Sequence, residues 1–185
     1  QVFETQEDIA ELMLEEGVDV ILGTHSHMIH RIDYDKTAGT LVAYSLGDFF
    51  GDASRAGTNY SLVLDIQITK DNDMGTTRID DFTVTPIYTL SEADGNGQRR
   101  GVRIGETVAA YEVNFVDKVT GSAVESMEYS LERIEHRIAT PHTVECPKCE
   151  KKLEILVDKD GKLVDEKKCS CGRVLEQGSD YSDYD

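Results

Sequence analysis

The chain has 185 residues, of which 39% are hydrophobic and 30% charged, with only 3 prolines; that is the composition of a folded globular protein and excludes wholesale disorder. Its 36 acidic and 19 basic residues give a formal charge of -17, a surface that repels phosphate backbones, so nonspecific nucleic-acid binding is excluded. The sequence holds no run of 18 apolar residues and opens at Gln1 with neither Met nor the charged and apolar start of a signal peptide. Helical sequence starts almost at once, and the reading is of a fragment or processed product.

In chain order, Thr5 and Asp8 read as a capping pair. Ile9, Leu12 and Met13 then recur at helical spacing up to Gly17, a C-cap candidate, predicting a helix over 6–16. The β-branched run 18–23 predicts a strand buried on both faces, and 40–46 predicts another, ending in a loop at Gly47. Leu62, Leu64, Ile66 and Ile68 alternate with Val63, Asp65 and Gln67, the period of an antiparallel strand with one wet face. Turn formers over 70–77 then join this segment to strand-like 79–88 as a hairpin. Residues 91–101 read as a mobile loop, and no chemistry is assigned to Arg99 or Arg100. Val124, Met127, Leu131, Ile134 and Ile138 make one clean apolar helix face. Pro141 reads as its stop and as a domain boundary. The expected organisation is an α/β domain over 1–140, a Cys-bearing module over 141–177 and a disordered acidic tail over 178–185. The acidity is concentrated in the first segment, with 25 acids against 11 bases, compared with 11 against 8 beyond residue 140.

Two constellations carry chemistry. The first is Gly23-Thr24-His25-Ser26-His27, placed where a buried strand ends. The crevice beyond the carboxyl ends of strands is where open α/β sheets bind ligands, and two imidazoles one residue apart suit Zn, Fe, Mn or Ni. A bare His-x-His reads equally as polar loop residues without a metal. The second is Cys146-Pro147-Lys148-Cys149 with Cys169-Ser170-Cys171, two thiol pairs separated by 19 residues. Their spacing points to a zinc ribbon with one structural zinc held by all four cysteines, disulfides or redox chemistry being the alternatives. The second pair is one residue shorter than the usual knuckle. Four thiolates leave no open coordination position, so this metal would be structural, and the ribbon would dock a protein partner or a second copy of the chain.

Gly17-Val18-Asp19-Val20-Ile21-Leu22-Gly23-Thr24-His25-Ser26-His27, followed by Tyr44-Ser45-Leu46-Gly47-Asp48-Phe49, resembles the CapA family, named for poly-γ-glutamate capsule biosynthesis. Members typically read G-x-D-x-x-x-G-x-H-x-H and then Y-S-L-G-N-F. The resemblance extends more loosely from about Thr5 to about Leu90 and stops short of the cysteines. It implies a metallophosphatase-like (calcineurin-like phosphoesterase) α/β sandwich, of which this chain holds the C-terminal part, with a small β zinc ribbon appended. It further implies that His25 and His27 are the last ligands of a divalent metal pair (Mn, Fe or Zn), the other ligands lying in an N-terminal half that this sequence does not contain.

Asp48 stands where the family usually has Asn. A carboxylate there adds a ligand or catalytic group, or else repels an anionic phosphate; a solvated turn is the alternative. His30 lies outside the motif and reads as an outer neighbour of the site or a surface residue. Activity, as a phosphoester hydrolase or a capsule-synthesis factor, would belong to the full-length parent. A non-catalytic scaffold with a structural zinc ribbon is the alternative. Reduced cysteines favour a cytoplasmic setting, and a cell-envelope location fits the family.

Overall fold

The computed structural model describes residues 2–51, 55–116 and 118–182. It is a mixed α/β structure of small sheets and three helices among the described residues. Helix α1 (Glu4–Glu15) is followed by β1 (Val20–Leu22), β2 (Ile32–Asp35) and β3 (Thr40–Ala43), which form one sheet in the order β1-β3-β2. β1 pairs parallel to β3, and β2 antiparallel to it. β4 (Tyr60–Asp71), β5 (Thr76–Leu90) and β6 (Arg100–Arg103) form a second, antiparallel sheet. Helices α2 (Ile104–Glu112) and α3 (Gly121–Ile138) follow, then hairpin β7 (Thr140–Glu145) with β8 (Lys152–Val157), and the two-residue ladder β9 (Lys167–Lys168) with β10 (Val174–Leu175).

The alternating pattern from Tyr60 produces the long β4–β5 hairpin, as expected, with a bulge between Gln67 and Ile68. α3 also follows its pattern: Val124, Met127 and Ile134 are buried, and Thr120 caps its N-terminus by accepting from the Ala123 N–H. α1 ends as predicted at Gly17 (φ +90), where Gly17 N–H donates to Leu14 O and Val18 N–H to Met13 O, a complete Schellman closure. Its start differs from expectation. Phe3, not Thr5, is the N-cap residue, and its N–H donates to the Gln6 side chain at 3.0 Å.

The apolar stripe of α1 differs more deeply. Ile9 and Leu12 are 59% and 58% exposed, and Ala10 is the residue that meets the sheet, packing with Val42 and Tyr44. β1 is not buried on both faces either: Leu22 is largely exposed, and β1 is an edge strand among the described residues, paired with β3 on one side. β3 does match its pattern. Leu41 and Ala43 enter the large core, while Val42 points to the α1 side.

That large core gathers Ile32, Leu41, Leu62, Phe82, Leu90, Ile104, Met127 and Ile134, so β2 to β5 and both later helices share it. Sequence patterning left β2, β6, α2 and β7 unassigned. Pro141, expected to end the fold's helical part, lies inside β7 opposite Leu156. Residues 144–175 have a separate small core of Val144, Ile155, Val157, Leu163 and Leu175. Lys159 Nζ donates to Asp81 on β5 at 3.0 Å, and His136 of α3 lies 3.1 Å from Asp165, joining this part to the rest. The segment expected to be a disordered tail is held as far as Ser182: Gly178 N–H donates to Leu163 O, Tyr181 N–H to Gly161 O, and the backbones of Lys162 and Asp180 pair in an isolated antiparallel β-bridge. Residues 183–185 lie outside the described residues. The 91–99 loop is likewise tied down, Asp94 accepting from Ser91 and from the α3 cap Thr120.

Met127 is fully buried where α3 meets the sheets. Met127→Ala is expected to lower unfolding free energy by about 2–5 kcal/mol through lost burial and a residual cavity. Tyr129→Ala, on the exposed face of the same helix, is expected to change it by less than about 0.5 kcal/mol; urea titration of both variants checks the difference.

Candidate functional site

The parallel pair β1–β3 delivers two loops to the same end of one sheet. Gly23 leaves β1 with its N–H donating to Ala43 O at 2.7 Å. A Cβ at Gly23 would lie 2.4 Å from Tyr44 O, so only glycine lets the chain pass the neighbouring strand here. The chain then turns through His25 (φ +94) and His27 (φ +59), left-handed conformations that cost a non-glycine residue of order 1–3 kcal/mol each and that cluster at ligand sites. Ser26 Oγ donates to Met28 O at 2.8 Å and closes the turn.

The loop after β3 is fixed to the first. His30 N–H donates to Ser45 O at 2.9 Å, and Ile29 bridges Leu46. Gly47 (φ +77) packs against Tyr60 and Ser61 of β4, where Leu62 N–H donates to Leu46 O at 2.8 Å. Asp48 follows, and Gly51 leaves room for it: a Cβ there would sit 2.9 Å from Asp48 Oδ2.

These loops bring His27 and Asp48 together, with Nδ1 2.9 Å from both carboxylate oxygens. A carboxylate only accepts, so Nδ1 carries the proton and a neutral ring keeps its Nε2 lone pair free. The His27 and Asp48 side chains are 59% and 31% exposed, and an ion pair so placed contributes little stability. His25 is not gathered with them as closely: its ring centroid is 6.4 Å from that of His27. His30, read from sequence as an outer or surface residue, is buried, and its Nδ1 has no partner among the described residues. Burial first, and then the positive charge of Arg137, lower its pKa and favour the neutral imidazole.

The four cysteines converge as their spacing suggests. All four sulfurs lie within 4.8 Å of one another, with approaches across the two knuckles of 3.6 Å from Cys149 to Cys169 and 3.7 Å from Cys146 to Cys171. Four thiolates about 2.3 Å from one tetrahedral zinc would be about 3.8 Å apart. Among the described residues this is the one group of three or more His, Cys, Asp or Glu side chains close enough to hold a single ion.

The shorter second knuckle closes sooner. Gly172 N–H reaches back three residues to Cys169 O, whereas Glu150 N–H reaches back four to Cys146 O. Each turn is completed by a left-handed residue, Glu150 (φ +58) and Gly172 (φ +86), so both present two thiols despite the missing residue. Cys169 is lowered to about 6, first by the Cys171 amide and then by the other three sulfurs. Cys149 is pushed up to about 12: the Lys151 amide pulls it down, but desolvation and the three neighbouring sulfurs outweigh that donation. Lys148 and Lys151 reach across to Cys171 O and Ser170 Oγ, placing positive charge beside the thiols.

No helix among the described residues is long and apolar enough to cross a membrane. Residues 1–53 match the model of the family described as "Bacterial capsule synthesis protein PGA_cap". A curated relative, "PGA biosynthesis protein CapA" of Bacillus subtilis (strain 168), is 35% identical over 82 residues, covering 44% of this chain and 20% of the relative. The chain thus spans about a fifth of that relative's length. No solved structure matches. The family match takes in α1, the β1–β3 pair, both motif histidines and Asp48, and leaves the cysteines outside. Over this N-terminal part, the chain matches the capsule synthesis protein family and is similar to CapA.

Proposed function

We propose that residues up to about 140 are the C-terminal part of a CapA-type, metallophosphatase-like sandwich serving capsule poly-γ-glutamate synthesis through a phosphoester-type hydrolytic site, and that residues 141–177 form a structural zinc ribbon beside it. The observation that carries the first half is the His27–Asp48 pair at the carboxyl end of the β1–β3 sheet. In that arrangement His27 ligates a divalent cation (Mn, Fe or Zn) through Nε2, with His25 as a further ligand. Asp48 acts on the ring's far side, fixing tautomer and orientation as carboxylates beside metal-bound histidines do. That gives Asp48 a positioning role in place of the catalytic or ligating one suggested by its substitution for Asn. A bound pair of cations would polarise a phosphoryl oxygen and activate a water. His25, His27 and Asp48 do not by themselves gather into one ion-sized cluster, so the remaining ligands are supplied by other parts of the full-length protein.

Metal analysis tests this. The chain loaded with zinc and manganese is expected to hold one tightly bound zinc and a second, weaker ion that His25→Ala and His27→Ala both remove. Asp48→Asn is expected to keep the second ion but weaken it roughly ten- to a hundredfold. One metal per chain, unchanged in all three variants, favours the non-catalytic scaffold, a reading supported by the cysteines being the single ion-sized cluster among the described residues.

The ribbon's small core, five buried apolar residues with Leu153 and Tyr181 against them, leaves most of its folding free energy to the metal, on the order of 10 kcal/mol in small zinc modules. Replacing Cys146, Cys149, Cys169 or Cys171 by Ser, or chelation, is expected to expose 142–177 to protease while the large core stays resistant; mass spectrometry locates the cuts. Zinc affinity is expected to fall as pH is lowered, because protons compete for the sulfurs. Cys169, near 6, is already thiolate at neutral pH, whereas Cys149, near 12, loses its proton only to the metal. A metal-stripped module that stayed protease-resistant, or an intact mass showing two disulfides, would remove the zinc assignment.

A further inference from the structure

Two guanidiniums brace the loops that carry His27 and Asp48. Arg137 of α3 donates from Nη1 to Ile29 O at 3.3 Å, two residues past His27. Arg99 donates from Nη2 to Gly51 O, three residues past Asp48. In a chain of net charge -17, a guanidinium without a carboxylate ion pair is available to attract an anion, and both belong to that group among the described residues. Arg31, Arg78 and Arg103 each hold a carboxylate, whereas Arg99 and Arg137 hold none among the described residues. Each instead lies over an aromatic ring, Arg99 over Phe50 at 5.8 Å and Arg137 over Tyr60 at 5.6 Å. Both side chains are half-buried, and none of their nitrogens is a buried donor left without a partner among the described residues.

We infer that Arg99 and Arg137, each braced on one of the loops that carry His27 and Asp48, receive oxyanions, selecting a ligand that carries carboxylate or phosphoryl groups. The location rests on the site proposed above, and the inference adds what binds there. A guanidinium offers five donors in a planar fork matched to carboxylate and phosphate oxygens. One N–H fixed on a backbone carbonyl and a face laid on an aromatic ring hold that fork in place before the ligand arrives, which lowers the ordering cost of binding. The pair also answers the electrostatic difficulty that Asp48 creates. A carboxylate where the family usually has an amide disfavours an approaching anion, and two guanidiniums without carboxylate partners among the described residues favour one.

The competing explanation is that both arginines only brace the loops. Glutamine separates the two, because its amide can still donate to Gly51 O or Ile29 O but carries no charge. Isothermal titration of the zinc-containing 185-residue chain with orthophosphate and with a γ-linked glutamate decamer, with and without Mn²⁺, is the test. Arg99→Gln and Arg137→Gln are each expected to weaken binding about tenfold, and binding is expected to weaken with added salt. Arg103→Gln, whose guanidinium already holds Glu106, should leave it unchanged. Stronger binding of the decamer would identify a carboxylate polymer as the ligand, and stronger binding of orthophosphate a phosphoryl group. Wild-type affinity in both glutamine variants, or binding of neither probe, overturns the inference. Loss of manganese uptake with the arginine dependence intact would instead overturn the metal site and leave the pair standing.

Discussion

Burial of β3 on both faces is the constraint around which the α/β part is arranged. Leu41 and Ala43 lie in the core shared with α3 and the long hairpin, while Val42 and Tyr44 are held against α1. A strand enclosed in this way has little freedom to shift, because its alternating side chains would all change faces. Gly23 is the outcome of that rigidity, since the chain leaving β1 must pass so close to Tyr44 O that no side chain fits. The strained histidine turn and the Asp48 loop are therefore both referred to one fixed strand. Their 2.9 Å approach is set by backbone packing and not by the weak attraction of a largely exposed histidine and a half-buried carboxylate.

The electrostatics of the two metal-capable regions are opposite in kind. Around the cysteines, amide N–H groups and two lysines surround sulfurs whose acidities are spread widely, from about 6 at Cys169 to about 12 at Cys149. Close thiols cannot all ionise independently, and the first thiolate makes the others harder to form. Around the histidines the ordering influence is steric, and burial is the main influence favouring the neutral form of His30 behind them.

Much of this architecture was legible in the sequence where a period had a single interpretation. The two-residue alternation from Tyr60 and the three-four stepping from Val124 both became the elements they suggested, and the cysteine spacing brought four sulfurs together. The α1 stripe misled because periodicity reports that a face is apolar, not what it meets. Small Ala10 allows close approach to the sheet, while Ile9 and Leu12 point away. β7 was missed because Pro141 reads as a terminator, yet a two-stranded hairpin leaves each strand an open side on which a residue without an N–H is tolerated. α2 carries no distinctive apolar stripe, with Ile104 as its one buried residue. The approach of Asp48 to His27 joins residues 21 apart in sequence and depends on β1 and β3 being neighbours, which no local pattern contains. The arginine braces have the same long-range character.

The short second knuckle has a consequence for oxidation. In a Cys-x-x-Cys redox motif the natural partners lie within one turn, and a disulfide closes a small loop. Here sulfurs also approach one another across the knuckles, Cys149 to Cys169 at 3.6 Å and Cys146 to Cys171 at 3.7 Å. Bonds formed by an oxidant along these two approaches in the metal-free cluster would stitch the turn between β7 and β8 to the turn between β9 and β10. Both crosslinks would close loops of about twenty residues or more, the kind that restrict an unfolded chain strongly. The same four thiols that require a metal in a reducing setting would in an oxidising one become a covalent clasp on the same fold.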